Sequence, residues 1–162
     1  MRFGKDDVLK LLDELKVEYE IAEHEAAYTL DEMMALNLPR RDSVAKNLFL
    51  RDDKKQNYYL LTLAEGKRAD LKKLREILKT RPLKFASEEE LERIMCLKKG
   101  SVTPLGILND SESRVEVLID RAYEDGIIGV HPNDNRATVW LHTEDLIRLI
   151  SRRGNRVSYI DI

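Results

Sequence analysis

Apolar positions along this chain switch between helical and alternating spacing at short intervals, and each switch marks an element. Val8, Leu11, Leu12 and Leu15 recur on one helical face, with Asp6 or Asp7 able to cap its start. Val17 to Ile21 reads as a strand. Thr29-Leu30-Asp31-Glu32 is a capping box ahead of a short helix through Leu36. That helix ends by about Leu38, because Pro39 disfavours helical geometry in the residue before it. Ala45 to Leu50 and Tyr58 to Leu63 are two β-rich runs, and the polar stretch Arg51 to Asn57 joins them as a hairpin. Asp70 can cap a helix carrying Leu71, Leu74, Ile77 and Leu78. Ser87-Glu88-Glu89-Glu90 is a second capping box, followed by Leu91, Ile94 and Met95, with Cys96 on the same apolar face.

A loop with two glycines, Gly100 to Gly106, comes next. Val115, Val117 and Ile119 then alternate with Glu116 and Leu118 on a strand, and Ile127 to Val130 and Ala137 to Leu141 form two more. Thr143-Glu144-Asp145 starts a last helix with Leu146, Ile147, Leu149 and Ile150; Gly154 ends it, and Val157 to Ile162 returns as an edge strand. No repeat or linker interrupts the series. The pattern describes one α+β domain over residues 1–162, with a mixed sheet and helices packed around it.

Composition narrows the function classes. The net charge is −2, from 28 basic and 30 acidic residues, which argues against a protein that coats nucleic acid by charge alone. It leaves room for one that grips a single end of an RNA. The basic pairs Arg40-Arg41, Lys67-Arg68, Lys72-Lys73 and Arg152-Arg153 are most simply a solvated surface; Lys98-Lys99 stands apart because it abuts the glycine loop. One cysteine excludes an internal disulfide and a cysteine metal cluster, and fits a reducing cytoplasm. The first residues hold no apolar signal region and no run reaches membrane-spanning length.

Three separated segments carry candidate chemistry. Lys46 lies on a strand whose same face holds Val44, Leu48 and Leu50. It is either an ammonium snorkelling to water or a half-buried cation awaiting an anion. Gly100-Ser101-Val102-Thr103-Pro104-Leu105-Gly106 is either plain punctuation or a rigid loop presenting N–H groups; without Gly-Lys-Ser/Thr it is no Walker loop. Ser101 and Thr103 lack a G-x-S-x-G elbow, so neither is read as a nucleophile. His131 opens a turn-forming run, Pro132-Asn133-Asp134-Asn135-Arg136, and His24 and His142 compete with it for any imidazole role. The three histidines show no metal-ligand spacing, so no metal is expected. Trp140 and Tyr123 read as core, although an exposed aromatic would suit a terminal adenine.

Together these segments resemble the YbaK/prolyl-tRNA-synthetase-associated domain family. The resemblance runs from about Val8 to Ile150: a helix and strand into His24-Glu25-Ala26-Ala27-Tyr28-Thr29, the strand lysine at Lys46, the Gly-x-x-x-Pro loop at Gly100 and Pro104, and His131-Pro132 with Asn135, Ala137 and Thr138. It implies a mostly antiparallel, barrel-like sheet surrounded by short helices. It implies a free-standing, cytoplasmic hydrolase that removes alanine from tRNA for proline, with cysteine or serine as the alternative amino acid and a non-catalytic module binding tRNA or a synthetase as the other class.

The implied catalytic set is Lys46, Gly100 and Ser101. Val102, Thr103, Pro104, Gly106, His131, Asn135 and Thr138 would bind substrate. Lys98, Lys99 and Arg136 would touch RNA, although Arg136 is equally placed to pair with Asp134. The implied partner is the acceptor end of mischarged tRNA, with transient contact to prolyl-tRNA synthetase or an elongation factor. No cofactor, DNA or membrane is implied.

Overall fold

The computed structural model describes residues 2–26, 32, 40 and 43–162. The helix expected from Thr29 to Leu36 and the Tyr28-Thr29 pair lie, Glu32 apart, outside the described residues. Helix α1 spans Lys5–Glu14 and is capped by Gly4, not by Asp6 or Asp7. Asp7 sits one turn in, and its carboxylate reaches back to accept the Gly4 N–H at 3.0 Å. The helix closes with Lys16 at φ +58° and with the Val17 N–H bonded to the Leu12 carbonyl at 2.9 Å. This left-handed closing turn uses Val17, so strand β1 (Tyr19–Glu23) begins later than the apolar pattern suggests.

β2 (Lys46–Asp52) and β3 (Tyr58–Leu63) form the expected hairpin, and buried Asp52 organises its loop by accepting N–H bonds from Lys54, Gln56 and Asn57. α2 (Leu71–Leu78) is capped by Asp70, which accepts from the Lys73 N–H at 3.0 Å. A three-residue strand, β4 (Leu83–Phe85), follows; it is too short to leave a periodic signal. α3 (Glu88–Met95) carries the full Ser87–Glu90 capping box. Cys96 is not on its apolar face. It terminates the helix at φ +54°. Beyond the glycine loop, Pro104–Asn109 winds as a buried 3₁₀ helix where the sequence suggested only loop. β5 (Val115–Asp120), β6 (Ile127–Val130), β7 (Ala137–His142), α4 (Thr143–Arg152) and β8 (Val157–Ile160) complete the series.

The strands make two sheets, ordered β1-β7-β6 and β4-β2-β3-β5-β8. Pairing is antiparallel except where β5 lies parallel to β3 and to β8. The sheets do not close into a barrel. They meet through a single parallel bridge between Val44 and Gly129, because the β2 chain runs beside β6 for only that step before pairing with β3. Between the sheets and helices α1, α3 and α4 lies the main core, holding Leu12, Phe49, Leu60, Met95, Val117, Ile128, Val139 and Leu146. Leu50, Leu61, Leu63 and Leu118 point to the opposite face of the long sheet, where Leu74 of α2 covers them. Trp140 and Tyr123 are buried, as their setting in the pattern suggested.

Candidate functional site

The Val44–Gly129 bridge joins two of the three segments singled out in the sequence. Val44 stands two residues before Lys46, and Gly129 two before His131. The Ala45 N–H donates to the Gly129 carbonyl at 3.0 Å and holds the crossing. Only glycine fits there: a Cβ on residue 129 would lie 2.7 Å from the Trp140 indole nitrogen. The loop is tied to the same place, since the Thr103 hydroxyl donates to the His131 carbonyl at 2.7 Å. Asn133, at φ +62°, donates from its amide to the Phe3 and Leu105 carbonyls and locks the turn behind them. Segments far apart in sequence thus share one corner, at the junction of the two sheets.

Lys46 is half-buried, and its ammonium donates to the Lys67 carbonyl at 2.5 Å. The residue offering that carbonyl is itself fixed, because Lys67 Nζ pairs with Asp120 at 2.8 Å. Asp120 is buried, and burial pushes its pKa up; hydrogen bonds from Lys67, Ala122 and Ala64 outweigh this and hold it below the ordinary carboxylate range. Lys46 has no carboxylate partner among the described residues. Lys46 is thus a half-buried cation tied to one backbone carbonyl.

The loop divides its backbone donors. Ser101 donates to the Lys98 carbonyl, Leu105 to the Thr103 hydroxyl and Gly106 to the Thr103 carbonyl. The N–H groups of Gly100, Val102 and Thr103 find no acceptor among the described residues. Gly100, at φ +90°, makes the turn; it and Val102 are part-exposed, whereas Thr103 is fully buried, so the first two N–H groups are the ones open to a ligand. Pro104 and Gly106 are buried in the 3₁₀ helix, and a Cβ at residue 106 would meet Leu97 at 2.6 Å, so Gly106 serves close packing. Ser101 is buried and shapes the turn.

His131 Nδ1 lies 2.8 Å from the Ala137 carbonyl, which can only accept, so Nδ1 carries the proton and Nε2 is left as an acceptor. Burial pushes its pKa below the ordinary 6.5; the Ala137 bond opposes this, nearby His24 adds to it, and Asp134 opposes it. A second imidazole stands beside it. His24 lies 6.2 Å from His131, ring centre to ring centre; its Nδ1 donates to the Glu25 carbonyl, and its Nε2 lies 2.9 Å from the Thr138 hydroxyl. The sequence treats His24 as a competitor of His131. The structure makes it a neighbour, because the β1–β7 pairing continues through the His24 N–H to the Arg136 carbonyl. A histidine just past one strand, facing a threonine on its partner, was the available signal.

The lowered His131 pKa has a consequence for stability. A histidine harder to protonate folded than unfolded gives no penalty above pH 6.5, where both states are neutral, and a growing one as pH falls from 6.5 through the folded value. Urea unfolding between pH 5 and 8 is therefore expected to show stability rising with pH in that window, and His131→Asn to flatten the slope.

Arg136 pairs with Asp134 through Nε and Nη2, at 3.0 and 2.8 Å, on the exposed side of the turn. Asn135 is buried beneath it, and Thr138 is fully buried. Lys98 and Lys99 are exposed at the loop's entrance, with Lys99 3.8 Å from Glu88. No group of three or more His, Cys, Asp or Glu side chains is placed to hold a metal ion among the described residues, and none of their helices is long and apolar enough to cross a membrane. An anchored cation, the part-exposed N–H groups of Gly100 and Val102 and a neutral imidazole can stabilise an oxyanion and hold an ammonium group.

Residues 24–149 match the model of the aminoacyl-tRNA editing domain. The chain is 40% identical over 160 residues to the prolyl-tRNA editing protein ProX of Acetoanaerobium sticklandii, covering 98% of each chain. It is 31% identical to the prolyl-tRNA synthetase associated domain-containing protein 1 of Mus musculus, covering 89% of this chain and 88% of that one. In fold it is similar to the solved structure of a candidate trans-editing enzyme for prolyl tRNA synthetase, with a TM-score of 0.71 at 18% identity over 98% of this chain and 97% of the other.

Proposed function

The chain belongs to the aminoacyl-tRNA editing domain family, and from that premise we propose that it is a free-standing, cytoplasmic deacylase acting on tRNA for proline mischarged with alanine. The observation that carries the reading is the sheet-junction corner, where the Lys46 strand, the free N–H groups of the loop and His131 are stitched together by the Val44–Gly129 bridge and the Thr103–His131 bond. Water adds to the ester carbonyl, and the tetrahedral oxyanion collapses to expel the ribose oxygen, releasing amino acid and tRNA. The Lys46 ammonium and the N–H groups of Gly100 and Val102 stabilise that oxyanion and orient the terminal ribose. His131, neutral with Nε2 as acceptor, holds the α-ammonium of the amino acid, and buried Asn135 and Thr138 complete the substrate site, Thr138 through its hydroxyl beside His24. His131 is not assigned as the base; the substrate's own neighbouring ribose hydroxyl relays the attacking water's proton to the departing ribose oxygen.

Selectivity follows from exclusion. One methylene in an apolar pocket is worth only about 1–3 kcal/mol, so rejecting proline by affinity is inefficient, whereas a pocket too small for its ring admits alanine and refuses proline. The test is hydrolysis of tRNA for proline charged separately with alanine, cysteine, serine and proline. Rapid loss of alanine alone is expected. Preferential loss of cysteine or serine would move the specificity within the family, and no loss from any would leave a module that binds tRNA or a synthetase.

A further inference from the structure

A groove opens beside the glycine loop, and nothing assigned so far uses it. Its volume is about 360 Å³, and Leu48, Phe49, Phe85, Ala86, Leu91 and Val102 form most of its wall. We propose that this groove seats the 3′-terminal adenine of the substrate RNA, with Phe85 as the face on which the base stacks. The proposal deepens the deacylase reading and rests on it for the identity of the RNA.

Three observations carry it. Phe85 is 59% exposed although it sits at the end of a strand, so more than half of a large aromatic side chain is offered to solvent, at a cost in solvation. Strand β4 covers β2 only from Leu50 to Asp52, and among the described residues no strand pairs with that edge at Asn47. The Ala86 N–H bonds the Phe49 carbonyl at 2.9 Å, which fixes the odd-numbered residues of β2 as those whose backbone groups point to that edge. The N–H and carbonyl of Asn47 therefore face the groove with no strand opposite, a donor and an acceptor for the edge of a base. Finally, the groove is continuous with the proposed ester site: Val102 lines it and belongs to the loop with free N–H groups, and Asn47 is the neighbour of Lys46.

The chemistry of the substrate selects the occupant. An aminoacyl ester hangs on the ribose that also carries the terminal base, so the base must lie within one nucleoside of the ester carbonyl. That base is adenine whichever amino acid is attached, and an apolar wall with one aromatic face accepts it without reading the rest of the RNA. Lys99 at the rim and Lys98 beside it supply positive charge for the phosphate that precedes it. Among the described residues the groove's one carboxylate, Glu88, lies 3.8 Å from Lys99, whereas a second cavity, between Tyr19 and Trp140, sets Glu18 and Glu20 against Arg40 and is the less suited to a polyanion.

The experiment compares binding of two acceptor-stem hairpins, one ending in adenosine and one whose terminal nucleotide is abasic, to the wild type, Phe85→Ala and Phe85→Tyr. The wild type is expected to bind the adenine-ended RNA about 10-fold more tightly or better. Phe85→Ala should erase that ratio while leaving the abasic RNA unaffected, and Phe85→Tyr should keep it. A wild-type ratio near one, or a ratio unchanged in Phe85→Ala, overturns the proposal. The readout is binding of uncharged RNA, so failure to hydrolyse any charged tRNA strikes the deacylase reading separately.

Discussion

Lys46→Ala is expected to slow deacylation of alanyl-tRNA for proline by about 10²–10³-fold at saturating enzyme, the cost of losing one well-placed oxyanion stabiliser. Its ammonium spends one hydrogen bond on the Lys67 carbonyl and has no carboxylate partner among the described residues, so its charge is available to an anion that forms during reaction. The support beneath it does not depend on it: the Lys67–Asp120 pair and the Ala64 and Ala122 N–H bonds persist when the side chain is shortened. The unfolding midpoint in urea should therefore move little. Single-turnover hydrolysis with the unfolding curve as companion makes the check. Normal turnover in the variant would remove Lys46 from the mechanism.

Glu90→Ala is expected to cost about 3–5 kcal/mol of stability, the scale found when one member of a buried ion pair is removed. Glu90 is 4% exposed and accepts from Tyr58 Oη at 2.6 Å, Arg51 Nε at 3.0 Å and the Ser87 N–H at 3.0 Å. Burial pushes its pKa up, but the bonds from Tyr58, Ser87 and Arg51 outweigh this and bring it down to about 2. A carboxylate depressed on folding stabilises fully above its unfolded pKa, near 4.5, and loses that contribution as pH falls toward 2. Urea unfolding at a series of pH values should show a gap between wild type and variant that is constant above about pH 5.5 and shrinks below 4.5. A gap under about 1 kcal/mol at neutral pH would mean that Arg51 and Tyr58 find other partners.

Local chemistry made much of the fold legible. Asp70 and Ser87 cap helices where short polar side chains followed by apolar periodicity said they would, because a cap is decided within four residues. The β2–β3 hairpin and the β6 and β7 strands fall within two residues of their apolar runs. The failures are equally local in cause. Cys96 follows the helical pattern of α3 but ends the helix in a left-handed turn, and β4 holds only three residues, too few for any period to show.

The sequence by itself determined the alternating helices and strands, the family resemblance, and the residue types at the site: a lysine on a strand, a glycine loop and a histidine before a turn. Each depends on neighbours along the chain. Only the tertiary structure decided how they meet. The two sheets join at Gly129, where the Trp140 ring leaves no room for a side chain, instead of closing into a barrel. The same packing put His24 beside His131, bonded the Gly106 N–H to the Thr103 carbonyl and left those of Gly100 and Val102 without an acceptor among the described residues. It buried Trp140 and Tyr123 and exposed Phe85. These are contacts across long loops, set by which surfaces fit and which donors find acceptors, and no pattern along the chain encodes them.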